Sequence, residues 1–216
     1  MTDLDLADLI LQLYATDQGW DLYWPESEWG LCAALRVAGD RDIIIHRGSV
    51  TPLDWYDDAT SEVSCEPADS DLGEVPAGFY SGLRAFHAAT QRGVRPGAII
   101  CGHSLGAARA VIHGALLAAQ GNPPIAIVAL GCPRPGTAKM NALFGATAVR
   151  WYRNLSDPVP EVPVSVPVLL PWIHCGAETK LNEPAPDDDP WKLLRDHHAE
   201  LYRAGIASLK DIPGIA

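Results

Sequence analysis

Long apolar runs are missing from this chain. None approaches the ~20 consecutive apolar residues that a membrane-crossing helix needs. The longest candidate, VPVSVPVLLPWI (162–173), is short and broken by prolines. Basic charge is scarce as well: 16 Lys and Arg stand against 27 Asp and Glu, a formal net charge of −11. Nucleic acid and anionic membrane surfaces would be repelled, so neither is expected as a partner. Cysteine is sparse and odd in number, with five residues at 32, 65, 101, 132 and 175. No CxxC pair and no Cys/His cluster points to zinc. The apolar neighbours of Cys101 and Cys175 read as buried thiols, which fits a reducing compartment. The opening stretch MTDLDLADLILQLYA carries three aspartates and no basic residue, so it does not read as a secretory signal. The expectation is a cytoplasmic protein without stable membrane anchoring; a virion-borne protein, or one exported without a signal, would show the same sequence features.

What is present is enough apolar residue, 48% of 216, to bury a substantial core. Neither a repeat nor a clean linker divides the chain, so residues 1–216 are read as one domain. Leu4 to Tyr14 spaces its apolar residues as one helical face. LCAALRVAGDRDIIIHRG reads as a strand, a turn at Gly39-Asp40, and a second strand ending at Ile45. Residues 57–74 carry seven acids and no base, and read as a polar loop or flap. A helix is expected over 76–93, a buried strand over 97–101, and a helix from Ser104 to Gln120 stopped by Gly121-Asn122-Pro123. Further strands are expected over 124–131 and 147–154, and a last helix from Trp191 to Lys210. Strands alternating with helices imply an α/β fold: a mainly parallel sheet with helices on both faces.

Chemistry concentrates in CGHSLGA (101–107). Ser104 stands between a buried strand and a helix, with Gly102 two before it and Gly106 two after. A nucleophile elbow needs that pattern, because small residues let strand and helix pack around a strained serine. The helix start then offers N–H groups to a developing oxyanion. The plainer reading is a serine heading a helix as its cap. A nucleophilic serine also needs a base and an orienting acid, here expected in the order Ser, Asp or Glu, His. Asp157, in the Pro-stiffened loop after strand 147–154, fits the acid. It is equally an ordinary turn aspartate before proline. For the base, His174, His197 and His198 remain open by chain order; His46, His87, His103 and His113 precede Asp157 and fit poorly.

Seven segments in order resemble the class 3 lipase family, over about residues 31–202. IIIHRGSVTPLDWYDD (43–58) resembles its R-G-T/S strand end and D-W-x-x-D segment, and VPAGFYSGLRAF (75–86) its V-H-x-G-F helix start. GHSLGAARA is similar to its nucleophile motif, and ALGCPRPG (129–136) to its G-x-P-R-x-G stretch. NLSDPVPEVP matches its acid loop, WIHCGAE (172–178) its Y-x-H-x-G-x-E segment, and DHHAELY its D-H-x-x-x-x-Y end. The resemblance implies an α/β-hydrolase fold. It implies His197, five residues before Tyr202, as the base, and gives His174 a supporting place. It implies the backbone N–H groups of Ser49 and Leu105 as oxyanion donors, with the Ser49 hydroxyl as a further one. The chain departs from the family at His46, often Phe there, and at Pro76, where His is usual. An acidic segment, 57–74, stands where the fungal members carry an apolar lid helix.

The expected chemistry is carboxylic ester hydrolysis through an acyl-enzyme on Ser104, with Asp157 and His197, and with no cofactor or metal. Short- to medium-chain or lipid esters are the expected substrates. Leu53, Trp55, Val164, Val166, Val168, Leu169, Leu170 and Trp172 are candidates for an acyl-groove wall, or equally for core. A phospholipase A1, a galactolipase or an acyltransferase would use the same triad. A non-catalytic binding module on a hydrolase fold is the reading from a different class.

Overall fold

The computed structural model describes residues 1–25, 31–49, 64–65, 72–165, 171–185 and 194–215. Its framework is a seven-stranded sheet of β1 (Leu22–Trp24), β2 (Cys32–Ala38), β3 (Arg41–Arg47), β6 (Ile99–His103), β7 (Ala126–Leu130), β8 (Ala148–Asn154) and β9 (Ala177–Leu181), in that spatial order. A small separate ladder pairs β4 (Ser64–Cys65) with β5 (Val75–Pro76). β1, β2 and β3 run antiparallel, and from β3 onward every neighbour is parallel. The Gly39 turn, with φ of +63°, joins β2 to β3 as the sequence indicates. The helices are α1 (Asp3–Ala15), α2 (Ala77–Tyr80), α3 (Leu83–Thr90), α4 (Leu105–Ala119), α5 (Ala138–Asn141) and α6 (Ala199–Ala207).

Both faces of the sheet are covered, which is why its central strands are apolar without a break. Within IIIHR the side chains still alternate: Ile44 joins Ile100, Ile127, Ala129 and Leu105 on one face. Ile43 and Ile45 join Cys101, Val128 and Leu130 on the other. The first face packs against α3 and α4. The second packs against α1, through Leu6, Ile10 and Leu13, and α6, through Tyr202 and Ile206. Burial of one such side chain contributes about 1.5–3 kcal/mol, so the two apolar layers dominate the fold's stability. The fold is α/β with helices on both faces, as expected.

α1 begins with a capping box, Thr2 accepting from the Asp5 N–H while the Asp5 carboxylate accepts from the Thr2 N–H. Its first residue, Asp3, is fully buried and takes hydrogen bonds from Arg150 and Tyr152 on β8. That ion pair fixes the N-terminal helix across the far end of the sheet.

Several expected boundaries move. The helix expected over 76–93 is two helices, α2 and α3, because Gly82 takes φ of +75° and breaks the run. The last helix starts at Ala199, and Arg195–His197 form a 3₁₀ turn before it. The strand expected to end at Ile45 continues to Arg47. β9 was not expected: it is a polar edge strand, AETKL, and gives no apolar signal. Most of segment 57–74, and Leu53, Trp55, Val166, Val168, Leu169 and Leu170, lie outside the described residues. Of the remaining groove candidates, Trp172 is buried and Val164 is 71% exposed.

Candidate active site

The elbow is built by backbone crowding. Ser104 has φ of +60° and ψ of −133°, a region that costs a non-glycine residue about 1–3 kcal/mol. The turn is held because Ser104 N–H donates to Leu130 O at 2.9 Å on the neighbouring strand, while Ser104 O accepts the first bond of α4 from Ala107. Its side chain makes no capping hydrogen bond. The hydroxyl is thus not spent on the helix, which removes the plain cap reading of this serine.

The two glycines have steric reasons. A Cβ on Gly102 would lie 2.3 Å from Gly106 O, and one on Gly106 would lie 2.3 Å from His46 O. Strand β6, helix α4 and strand β3 therefore meet with no room for a methyl group. Gly48 closes the same junction, since its Cβ would lie 2.7 Å from the Ser104 Cβ. This brings the Arg47-Gly48-Ser49 turn beside the serine, and Ser49 is partly exposed there. Leu105 is the first residue of α4, where backbone N–H groups have no partner within the helix.

Asp157 and His197 are side by side. His197 Nδ1 and Asp157 Oδ2 are 2.6 Å apart, and both residues are almost wholly buried. The tyrosine hydroxyl of Tyr202 donates to the same carboxylate oxygen, and the Val159 N–H donates to Asp157 Oδ1 at 2.9 Å. Burial alone would raise the Asp157 carboxyl. Attraction to His197 and the hydrogen bonds from His197, Tyr202 and Val159 outweigh it, so the carboxyl is held below its ordinary range. Asp157 is therefore a permanent anion near neutral pH, able to fix the proton of His197 on Nδ1. The His197 ring lies over Gly131, where a Cβ would be 2.8 Å from its Cε1. Gly131, with φ of +55°, ends β7 next to the elbow strand. Ser104, Asp157 and His197 thus all sit at the carboxyl ends of parallel strands, where open α/β sheets place their ligand sites.

The loop that carries Asp157 is knitted by side chains. Asn154 is fully buried; its amide donates to Glu183 O at 2.8 Å and Asp196 O at 3.1 Å, and its Oδ1 accepts from Glu183 N–H at 2.9 Å. One side chain thus joins the end of β8, the turn after β9 and the residue before His197. Beyond Asp157, the Glu161 carboxylate is clasped by Arg153 and Arg134. Arg134 also donates to Pro163 O at 2.9 Å. The Arg153 hydrogen bond is the chief reason that the Glu161 carboxyl is lowered.

The other histidines separate clearly. His174 stacks on Trp151, with ring centroids 3.9 Å apart, and pairs through Nε2 with Pro160 O at 2.9 Å. It braces the acid loop from below. His198 stands at the N-cap position of α6, with no capping hydrogen bond from its side chain. His46 and His113 pair through ring nitrogens 3.1 Å apart in the core beside Phe86 and His87. His103 was set aside by chain order, yet its ring stacks on His197 with centroids 4.7 Å apart. Tyr202, Asn154 and His103 are the site-supporting residues whose contacts reading along the chain did not supply. Among the described residues, no cluster of His, Cys, Asp and Glu is arranged to hold a metal ion.

Comparisons with known proteins agree with this geometry. Residues 43–166 match the family described as lipase (class 3). The secreted mono- and diacylglycerol lipase A of Penicillium cyclopium is 25% identical over 151 residues, 66% of this chain and 48% of its own length. A protein of that name from Penicillium camembertii matches to the same extent. The chain therefore spans about half the length of the curated relatives it matches. Among solved structures, the Rhizomucor miehei triacylglyceride lipase superposes with a TM-score of 0.63 at 17% identity, covering 93% of this chain and 90% of that one. The mono- and diacylglycerol lipase of Aspergillus oryzae gives 0.60 at 21% identity, covering 79% and 65%. At these identities the superpositions establish the α/β-hydrolase fold, and the family match over more than half the sequence establishes the rest: the chain belongs to the class 3 lipase family.

Proposed function

We propose that this protein is a serine carboxylic ester hydrolase, with Ser104 as nucleophile, His197 as general base and acid, and Asp157 as the orienting acid. The observation that carries the reading is the buried Asp157–His197 pair on the same sheet edge as a serine whose strained turn leaves its hydroxyl out of helix capping. His197 takes the Ser104 proton as the oxygen attacks the ester carbonyl. Asp157 stabilises the imidazolium that forms. The Ser49 and Leu105 N–H groups, with the Ser49 hydroxyl, receive the oxyanion. His197 then protonates the leaving alcohol, and water releases the acyl group by the reverse sequence.

The substrate reading is acyl esters of short to medium chain, including partial glycerides of the kind in the relatives' names. Residues 1–216 act as one domain in this reading; its support is that both apolar layers pack on one sheet. Among the described residues no helix is long and apolar enough to cross a membrane. A reducing, cytoplasmic setting is supported by Cys32, Cys101, Cys132 and Cys175 standing as buried thiols, although the Penicillium relatives are named as secreted.

Labelling with a fluorophosphonate probe tests the reading. We expect label on Ser104, lost in Ser104→Ala and in His197→Ala and kept in His198→Ala. Turnover of a p-nitrophenyl ester should fall by roughly four to six orders of magnitude in Ser104→Ala. Turnover close to that of the parent in that variant would remove Ser104 from the mechanism.

A further inference from the structure

We infer that Tyr14 and His103 form a positioning pair that ties the oxyanion turn to the backbone of His197. The inference rests on the roles proposed above for Ser104, Ser49 and His197. It starts from a hydrogen-bond chain none of whose members is adjacent to its partner in sequence. The Tyr14 hydroxyl, on the last turn of α1, lies 3.0 Å from His103 Nδ1. The same hydroxyl accepts from the Gly48 N–H at 3.1 Å. His103 Nε2 lies 2.8 Å from the carbonyl oxygen of His197.

The protons in this chain can be assigned by elimination. A carbonyl only accepts, so His103 Nε2 carries the ring proton and donates to His197 O. Nδ1 is then an acceptor, and the Tyr14 O–H must donate to it. The hydroxyl's lone pair is left for Gly48 N–H. The direction is therefore fixed along its length: Gly48 N–H to Tyr14 oxygen, Tyr14 O–H to His103 Nδ1, and His103 Nε2–H to His197 O.

Each link lands on a position the reaction depends on. Gly48 precedes Ser49 and touches Ser104, so holding its N–H sets where the Ser49 amide points. His197 O is the backbone handle of the imidazole, whose ring also lies on the His103 ring at a 30° interplanar angle. Burial, with the neighbouring His197 adding to it, presses His103 down to about 3. His103 is therefore neutral near pH 7, and its stacked ring does not oppose the charge that His197 gains. Tyr14 is raised above its ordinary range, chiefly by burial, and stays a protonated donor. Tyr14 and His103 touch neither substrate nor reacting atoms in this scheme, and they work by position.

Tyr14→Phe keeps the ring, which meets His103 edge-on at 5.8 Å, and removes only the hydroxyl. We expect kcat on a p-nitrophenyl ester to fall about 10- to 100-fold, as expected for a small displacement of reacting groups, with KM within twofold. In protein labelled with ¹⁵N-histidine, His103 should show the Nε2–H tautomer at pH 7, and Tyr14→Phe should mix the two tautomers. His103→Gln is the second variant: its amide can still donate to His197 O but offers Tyr14 no ring nitrogen, and it should reproduce the kcat loss. Both variants are compared at a temperature at which their circular dichroism matches the parent. An Nδ1–H tautomer in the parent overturns the pair. So does a kcat within twofold of the parent in both variants. A parent that neither labels with fluorophosphonate nor turns over ester overturns instead the hydrolase reading on which the pair rests.

Discussion

The elbow and the acid–base arm are held by different forces. Residues 99–107 are positioned by backbone meeting backbone: Gly102 against Gly106, Gly106 against His46, and Gly48 against the His103 carbonyl. Residues 154–163 and 194–202 are positioned by side chains reaching across the sequence: Asn154 to Asp196, Tyr202 and His197 to Asp157, Arg134 to Glu161. The first region is intolerant of added volume at its glycines. The second tolerates shape-preserving changes only if every donor keeps its acceptor. A close approach of backbones is encoded by a short glycine spacing, whereas a network is encoded by residues 27 to 45 positions apart.

The largest expected effect tests the arm through its carboxylate. Asp157→Asn preserves the shape of the loop, but its single amide oxygen can accept from Tyr202 or from the Val159 N–H, not from both. It removes the anion that, in the proposed mechanism, orients His197 and stabilises its cation. We expect kcat to fall roughly 10⁴-fold, with the melting temperature far less affected than the rate. Steady-state kinetics beside a thermal melt measures both. A rate loss under tenfold would mean that another group takes over the role of the carboxylate.

The complementary test adds one methyl group to the elbow. In Gly106→Ala the new carbon would meet the His46 carbonyl at 2.3 Å, and no side-chain rotation relieves a backbone contact. We expect about 3 kcal/mol of destabilisation, which lowers the melting temperature by roughly 6–12 °C. Fluorophosphonate labelling should slow as β3 and α4 are pushed apart. An unchanged melting temperature would show that the junction is looser than the distances imply.

Legibility in the sequence divided along the same line. GHSLG can be read because its steric demands are local: a strand, a turn and a helix inside nine residues. The position of Asp157 followed from chain order, since an acid after a later strand is a topological requirement. His197 over His198 did not follow from the residues themselves; it rested on the spacing to Tyr202 in the family resemblance. Tyr202 acquires a physical reason only in the structure, where its hydroxyl binds the Asp157 carboxylate. His103 fits the base poorly because it precedes Asp157 in the chain. What the sequence could not show is that His197 returns from 94 residues away to lie on its ring. β9 was illegible for another reason: an edge strand with one buried residue in five carries no apolar pattern.

A smaller effect probes one strand of the network. The Tyr202 hydroxyl donates to Asp157 and accepts from the Asn154 N–H at 3.2 Å, all in buried surroundings. Tyr202→Phe removes a hydrogen bond to a charged group and leaves the Asn154 N–H unanswered. We expect a loss of about 1.5–3 kcal/mol in urea unfolding. We also expect a rise in the Asp157 carboxyl, seen as an upward shift of its ¹³C carboxyl titration by NMR. Stability lost without that shift would make Tyr202 a packing residue only.

The finest comparison is in how the two regions respond to acid. Burial, reinforced by Arg109, presses His46 on the elbow side down to about 3, and His113 beside it is lowered by burial and by His46 and His87. The unfolded chain protonates these rings near the ordinary histidine value of about 6.5. The folded chain does not until far lower pH. Folded stability is therefore fully present above about pH 6.5 and falls as pH drops toward 3, by about 1.4 kcal/mol per pH unit for each such histidine. Asp157 is lowered instead from 3.8, so the arm's contribution is intact above that value and is lost only as pH falls below it. His46→Phe separates the two. At pH 7.5 it should cost about 1 kcal/mol, because His113 Nδ1 loses its partner. Between pH 6 and 4.5 its stability should fall less steeply than the parent's, by about 1.4 kcal/mol per unit, so that the two curves cross and the variant becomes the more stable. Parallel curves in urea unfolding across that window would show that His46 takes up its proton without unfolding, and that the acid sensitivity of the molecule begins elsewhere.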